Sequence, residues 1–176
     1  VRGTNGRIAN NSGTKANQNM DWERPVNVEF FKKNKDGLYD ECFNQEATFS
    51  IFGGWTRFNE GFGDFEYRPS FKIKSDKVYE DLNFFKYALF DSKPYVKIKN
   101  FLVRNGGQDQ YARIWDAAIH EIIRTSGVYI DCQAWQPAHI FLNGKYLGMM
   151  NLREESNRQF AFSNYGIDKE EIDQWE

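Results

Sequence analysis

The sequence predicts an α+β domain that consists mostly of an antiparallel sheet together with one long amphipathic helix. Three observations support this class. Short segments alternate apolar and polar residues, one stretch in the second half has helical periodicity, and an Asn-Gly pair separates two strand-like segments. The 176 residues suffice for one hydrophobic core, and the 16 phenylalanines indicate that this core is largely aromatic.

Strands are predicted where β-branched and aromatic residues are bounded by turn residues. Four such segments precede the helix, at residues 26–31, 47–51, 71–74 and 95–103. Within residues 71–74 the apolar side chains share one face, and Lys72 and Lys74 share the other. Residues 82–90 fit either a short helix or an extended segment, and their pattern favours neither.

The helix is predicted over residues 111–124, because apolar residues recur there every three or four positions. They form one stripe: Tyr111, Ile114, Trp115, Ala118, Ile119, Ile122 and Ile123. Asp109 is expected to cap the start of this helix, and Gly127 to end it in a left-handed conformation.

A hairpin is predicted after the helix, with strands at residues 139–142 and 145–152. Asn143 and Gly144 connect them, and this dipeptide favours a two-residue turn because both positions tolerate positive φ. Residues 165–175 then indicate a helix that has only just begun.

Composition narrows the classes of partner. The formal net charge is −2 and the sequence pI about 5.8, so we expect no nucleic-acid partner, since such proteins usually carry a basic excess. No apolar run approaches the ~18 residues of a membrane-spanning helix, so we expect no span in this chain. Cys42 and Cys132 could form a disulfide or remain two free thiols.

Two regions are expected along the chain. Residues 1–20 are rich in Asn, Gly, Thr and Ser, which predicts a loop-rich arm or the tail of an earlier segment. Residues 21–176 are predicted to form the domain. We expect the chain to begin inside a longer protein that contains other domains.

Glycine turns and strand lysines are the features most able to bind an anion. Gly53 and Gly54 follow a strand, where backbone N–H groups can form a nest for a phosphate, although an ordinary tight turn uses the same residues. Lys72 and Lys74 could reach such a phosphate, or could simply face solvent. Residues 104–107 form a second glycine turn, which fits a strand-to-helix connection.

The remaining polar residues give weaker indications. Arg153, Glu154 and Glu155 end the hairpin, either as a surface charge run or beside a cleft. His120 and His139 are expected to be partly buried polar residues. No group of His, Cys, Asp and Glu has the spacing of a metal site.

Several segments together resemble the CotH kinase family, in the variety found in larger bacterial secreted or surface proteins. The matching segments are DWERPVNVEFF at 21–31, IFGGWTR at 51–57, LVRNGG at 102–107 and FLNGKYLG at 141–148, followed by Leu152, Arg153 and Glu154. The motif residues are Arg104, Asn105, Gly106, Gly107, Asp109, Arg113, Asp116, Asn143, Gly144, Tyr146 and Gly148. The Asn-Gly-x-Tyr-x-Gly segment with its trailing Arg-Glu is the most specific part.

The resemblance implies an atypical, reduced protein-kinase-like fold, of which this chain holds the N-terminal portion. It implies ATP- and Mg²⁺-dependent phosphoryl transfer to Ser or Thr of spore-coat or surface proteins, and a secreted or cell-surface location. The nucleotide-binding residues that it suggests are Gly53, Gly54, Arg68, Lys72, Arg153 and Glu154. It assigns no catalytic residue within this chain.

Two departures from the family pattern affect the expected activity. The family usually carries a lysine where this chain has Pro69, so Arg68 or Lys72 has to supply the cation. The family's metal-binding and catalytic aspartates lie beyond the hairpin, where this chain has only Asp168 and Asp173, in a helical context. We therefore expect this chain alone to be inactive.

Two other functions stay open. One is a non-catalytic, kinase-like surface module that binds a protein or a glycan through its tryptophans: Trp22, Trp55, Trp115, Trp135 and Trp175. The other is a structural domain without a ligand of its own.

Overall fold

The computed structural model describes residues 22–54, 68–106, 109 and 112–173. Its elements are β1 (Arg24–Lys33), β2 (Tyr39–Ile51), β3 (Phe71–Lys74), β4 (Asn100–Arg104), α1 (Trp115–Ser126), β5 (Trp135–Leu142), β6 (Lys145–Arg153) and α2 (Arg158–Tyr165), then a 3-10 turn at Lys169–Glu171. The described strands form one sheet in the order β1-β2-β3-β4-β6-β5. All neighbouring strands are antiparallel. This curled sheet with two helices agrees with the α+β class. The predicted arm at residues 1–20 lies outside the described residues.

The hydrophobic core lies on one face of the sheet, where alternate residues of the strands point. Its strand residues include Phe49, Phe71, Ile73, Phe101, Val103, Met150 and Leu152. The segment between β3 and β4 adds Phe85, Leu89, Phe90 and Ile98 to the same cluster. The rings of Phe85 and Phe101 meet edge to face, with centroids 5.3 Å apart. The expected aromatic core is therefore confirmed.

The segment from residue 82 to residue 90 is extended and irregular. It forms no helix, and a single antiparallel bridge joins Phe85 to Ile98. The extended alternative is therefore the correct one. β4 begins at Asn100, later than predicted, because the residues before it form only this bridge at Ile98 and a bond from the Ser75 N–H to the Lys99 carbonyl over 2.9 Å.

The expectation of one long helix is wrong. α1 has 12 residues and begins at Trp115, and a second helix, α2, follows the hairpin. The start is delayed because Arg113 has a φ of +59°, which is incompatible with a right-handed helix. Gly127 ends α1 in the left-handed conformation, as predicted. Near the C-terminus, α2 ends at Tyr165, where the sequence predicted that a helix would begin.

The apolar stripe of α1 faces away from the sheet. Trp115 is 66% exposed, Ile119 51% and Ile122 65%, whereas Ala117 is the helix's buried residue. The opposite side of the helix, which carries Asp116 and His120, contacts the sheet side of the molecule through polar groups. Amphipathic periodicity thus located the helix but did not indicate which of its sides packs against the rest of the domain.

Cys42 and Cys132 are both free thiols. Among the described residues, no helix has the length and hydropathy needed to cross a membrane.

Candidate functional site

A polar face lies on the side of the sheet opposite the core. Lys72 of β3 is directly opposite Leu102 of β4, which is opposite Arg153 of β6. Residues that pair in this way project to the same side of an antiparallel sheet. The flanking pairs add further polar groups: Lys74 with Asn100, and Arg104 with Asn151. We refer to Lys72, Lys74, Asn100, Arg104, Asn151 and Arg153 as the polar face.

The two lysines of β3 share this face, as the alternation predicted, and each has carboxylate partners. The ammonium of Lys72 lies 2.8 Å from the carboxylate of Glu155. Lys74 contacts Glu23 at 3.2 Å and Asp76 at 3.4 Å. Burial acts to lower the pKa of Lys74, but the hydrogen bond and charge of Glu23, together with Asp76, raise it overall.

The Gly53-Gly54 turn lies next to the start of β3. The N–H of Phe52 donates to the carbonyl of Ser70 over 2.9 Å, and Gly53 has a φ of +99°. Ser50 is opposite Lys72, and β2 ends one residue later at Ile51, so the turn follows the end of the strand that pairs with β3.

Arg68 and Pro69 are held by the first turn residue after β4. The Asn105 side chain donates to the carbonyl of Arg68 over 2.6 Å. The N–H of Asn105 donates to the hydroxyl of Ser70 over 3.0 Å, and that hydroxyl donates back to the Asn105 side-chain oxygen over 2.9 Å. These bonds fix the chain immediately before β3 although Pro69 offers no backbone donor.

The second glycine of the Asn-Gly-x-Tyr-x-Gly motif contacts Arg68. A Cβ on Gly148 would lie 1.9 Å from the Arg68 Nη1, so the guanidinium occupies the space that a side chain would need. Arg113 is nearby: burial, and then the positive charge of Arg68, lower the pKa of Arg113. The sequence drew attention to Arg68 and to Gly148 separately, and the structure brings them together.

The turn between β4 and α1 is closed by Asp109. Its carboxylate accepts from the N–H groups of Ala112 at 3.1 Å, Ile114 at 2.7 Å and Trp115 at 2.8 Å. Desolvation opposes ionisation, but these backbone donors lower the pKa of Asp109 overall. Asp109 thus accepts from the backbone donors at the start of α1, although the N-cap residue of the helix is Ile114 and not Asp109. Gly107 of the same turn lies outside the described residues.

Arg153 ties α1 to the sheet and is itself only 1% exposed. It donates to Asp116 over 2.8 Å and to the Gln133 side-chain oxygen over 3.0 Å, and Arg104 lies 3.9 Å from the same Asp116 carboxylate. His120 accepts from the N–H of Gln133 over 3.1 Å.

The same cluster sets the protonation of His120. Burial, and then the charge of Arg153, lower the pKa of His120, which therefore favours its neutral form. This fits the expected role of a partly buried polar residue.

Glu154 is also turned inward. It is 5% exposed, accepts from the N–H of Ala134 over 2.6 Å and accepts from the Asn164 side chain over 3.2 Å. Burial raises the pKa of Glu154. The structure therefore places the side chains of Arg153 and Glu154 among internal partners, and the carboxylate that contacts Lys72 belongs to Glu155.

Glu155 belongs to the charged run at residues 153–155 that the sequence left either on the surface or beside a cleft, but the family resemblance suggested Glu154 and not Glu155 for the nucleotide site. Glu155 accepts from Lys72, from Asn157 over 2.9 Å and from the side chain of Asn100. One signal pointed to it: Glu155 lies two residues beyond Arg153, the spacing at which residues share a strand face.

Beside Glu155 is a cavity of about 20 Å³, lined in part by Asn100, Glu154 and Glu155, which has room for roughly one water molecule.

The tip of the hairpin is separate from this arrangement. Asn143 and Gly144 both have positive φ, +50° and +75°, as the predicted two-residue turn requires. The Tyr146 hydroxyl and His139 Nδ1 form a hydrogen bond of 2.7 Å, and both residues are exposed. The expectation that His139 is partly buried is therefore wrong. The tip thus carries an exposed aromatic pair rather than part of the polar face.

Among the described residues there is no group of three or more His, Cys, Asp or Glu that could hold a metal ion. The acidic groups that contact the polar face are already paired with its cations: Glu155 with Lys72, Asp116 with Arg153, and Glu23 and Asp76 with Lys74.

Two comparisons with known proteins bear on this arrangement. A family model described as CotH kinase protein matches residues 50–175, which include the glycine turn, the polar face, α1 and the hairpin. No match was found among curated proteins. Because the family match covers well over half of the 176 residues, the chain belongs to the CotH kinase protein family.

Proposed function

We propose that this domain binds ATP with Mg²⁺ and takes part in phosphoryl transfer to Ser or Thr hydroxyls of coat or surface proteins. Membership of the CotH kinase protein family supports a kinase-like role at the level of the family. In the proposed reaction the acceptor oxygen bonds to the γ-phosphorus, the bond to the bridging oxygen of ADP breaks, and the hydroxyl proton is released. A secreted or cell-surface location belongs to the same proposal.

The observation that supports the nucleotide site best is the position of Lys72. It is a strand lysine whose ammonium is held in place, and the Gly53-Gly54 turn follows the end of the strand that pairs with its own. Backbone N–H groups of a glycine turn and a lysine point charge are a recurring pair in phosphate binding. Lys72 is therefore the cation that replaces the lysine missing at Pro69, in preference to Arg68, which lies against Gly148.

The described residues do not fit a protein-borne Mg²⁺ site, because no three ligands converge. Mg²⁺ in nucleotide sites is commonly held by the phosphates with only one or two carboxylates. We accordingly assign no metal ligand in this chain.

The test of the nucleotide site is calorimetric titration of the chain with ATP, with and without Mg²⁺. We expect saturable binding that requires Mg²⁺. Lys72→Met is expected to weaken it by about tenfold or more, the value of one charge-assisted contact. Lys74→Met is the matched control, since Lys74 lies on the same strand and face and also has carboxylate partners. Equal effects of the two substitutions, or no binding by the folded chain at millimolar ATP, would contradict the proposal.

Catalysis is tested separately with γ-labelled ATP and a Ser-rich protein acceptor. We expect no transfer by this chain alone, and transfer by a chain extended at its C-terminal end. Transfer by the given chain would show that its own residues suffice.

A second candidate is a non-catalytic surface module that binds a protein or a glycan. The exposed apolar stripe of α1, with Trp115 66% exposed, favours it. This candidate predicts no ATP binding, together with binding to a panel of proteins or glycans that Trp115→Ser abolishes.

A further inference from the structure

Glu155 sits at a junction of three elements. It follows β6, and its carboxylate accepts from Lys72 of β3, from Asn100 of β4 and from Asn157, which caps α2. The Asn157 side chain contacts α2 and Glu155 at the same time. Its oxygen accepts from the N–H of Phe160 over 3.0 Å, and its NH₂ group donates to Glu155 over 2.9 Å. The position of Glu155 is thus linked to the start of a helix.

The Glu155–Lys72 pair differs from an ordinary surface ion pair. The side chains of Lys72 and Glu155 are 27% and 16% exposed, and two neutral amides hold the carboxylate independently of the lysine. Exposed pairs without such support contribute little, because both side chains must give up their rotamer freedom. The neighbouring Lys74 has that weaker arrangement, since its partner Glu23 is 44% exposed.

A lysine that binds phosphate benefits from being held before the ligand arrives. Its four-carbon side chain is flexible, and ordering that chain at the moment of binding reduces affinity. The ammonium has three donor hydrogens, and the pair with Glu155 leaves hydrogens for a further acceptor. A fixed carboxylate can therefore orient the ammonium without excluding a phosphate from it.

We infer that Glu155 is the positioning residue for Lys72, and that the Asn157 cap of α2 holds it in that role. This inference rests on the proposed nucleotide site and names a residue of that site that acts through Lys72, not on the ligand itself. The same contacts fit two simpler roles. Glu155 could be a purely structural link between β3 and α2, or its carboxylate could compete with a phosphate for the Lys72 ammonium. The three roles differ in how Glu155 changes the contribution of Lys72 to binding.

A double-mutant cycle on Mg²⁺-ATP affinity separates these roles. It compares the effect of Lys72→Met in the native chain with its effect in Glu155→Gln, measured by calorimetry with folding checked by circular dichroism. Net affinity alone does not decide, because removing Glu155 also removes a negative charge near the phosphates. The repulsion between the Glu155 charge and the phosphates is present with either residue at position 72. It therefore cancels when the effect of Lys72→Met in the native chain is compared with its effect in Glu155→Gln.

If Glu155 positions Lys72, Lys72→Met weakens binding by about tenfold in the native chain and by about threefold or less in Glu155→Gln. Glu23→Gln is the matched control, since it removes one of the two carboxylate partners of Lys74 and none of Lys72, and the effect of Lys72→Met should stay at about tenfold there. If the effect of Lys72→Met is undiminished in Glu155→Gln, the inference is overturned and Glu155 is only a structural link. If that effect is larger, the inference is overturned and Glu155 competes with the phosphate for Lys72. A native chain that binds no ATP overturns the proposed nucleotide site and this inference with it, an outcome distinct from binding without coupling.

Asn157→Asp provides a second route if Glu155→Gln does not fold. It keeps an oxygen to cap α2 through Phe160, and it replaces the donor to Glu155 with a second carboxylate. We expect the effect of Lys72→Met to fall between its values in the native chain and in Glu155→Gln. An effect equal to the native one overturns the role of the helix cap.

Discussion

Three glycines with positive φ allow the effect of backbone strain to be separated from the effect of lost space. Gly144 has a φ of +75°, and no atom of the described residues lies within 4 Å of the place that a Cβ would take, so alanine there meets strain alone. A Cβ on Gly148, at φ +112°, meets the end of the Arg68 side chain at 1.9 Å. A Cβ on Gly106, at φ +92°, meets the Arg113 Cα at 2.8 Å and the Asp109 carbonyl oxygen at 3.1 Å.

These surroundings predict a graded loss of stability on substitution by alanine. Strain at positive φ costs about 1–2 kcal/mol, which is the whole expected effect of Gly144→Ala. Gly148→Ala adds less than about 1 kcal/mol, since a flexible guanidinium can move aside. Gly106→Ala must displace the backbone of the turn that precedes α1, and overpacking of this kind adds about 1–3 kcal/mol. We expect a total of about 2–5 kcal/mol at Gly106.

The assay is urea denaturation of the three variants, followed by circular dichroism and tryptophan fluorescence. Arg68→Ala combined with Gly148→Ala should recover the part of the loss that exceeds Gly144→Ala, because the obstructing atoms are gone. The reasoning is refuted if Gly106→Ala costs no more than Gly144→Ala, since the 2.8 Å approach would then have no consequence in solution.

Three further outcomes follow from the burial of particular side chains. Burial raises the pKa of Glu154, so the stability that its protonation provides is complete below the ordinary carboxyl pKa and is lost as the pH rises through the raised value. Glu154→Gln removes this titration, so the stability of the variant relative to the native chain should rise as the pH is raised through that value, in denaturation curves at several pH values. Ala117→Leu should cost about 1–3 kcal/mol by overpacking, whereas Ile122→Ser on the exposed side of α1 should stay within about 0.5 kcal/mol. Arg153→Met should cost about 2–4 kcal/mol in the same assay, because it leaves Gln133 and Asp116 without their donor; a cost near zero would mean that this pair does not hold α1.

Local chemistry accounts for what the sequence predicted correctly. The alternation in β3 placed Lys72 and Lys74 on one face, the Asn143-Gly144 pair gave a turn with two positive φ values, and the Asp109 carboxylate accepts from the N–H of Trp115 at the start of α1. Each of these depends on residues within a few positions of one another, where sterics and hydrogen bonding decide the outcome.

Contacts between distant residues could not be predicted in the same way. Glu155 and Lys72 are 83 positions apart, and their contact depends on β4 lying between β3 and β6. The fit of Arg68 against Gly148 depends on the same strand order. The sequence favoured Glu154 as the carboxylate of the site because it belongs to the Arg-Glu motif, yet strand alternation and burial turn it inward and leave Glu155 at the polar face.

The way α1 is attached has a consequence for hydrogen exchange. Its contacts include the ion pair of Asp116 with Arg153 and the bond from Gln133 to His120, and Ala117 is its buried residue. Detaching such a helix uncovers little apolar surface, so the opening should depend weakly on urea, whereas opening of the aromatic core should depend on it steeply. Added salt should favour the detachment, because it screens the ion pair. The amides of α1 are therefore expected to exchange well before those of β2 and β6. The helix beside the polar face should therefore move away from the sheet at a lower free-energy cost than the strands of the core.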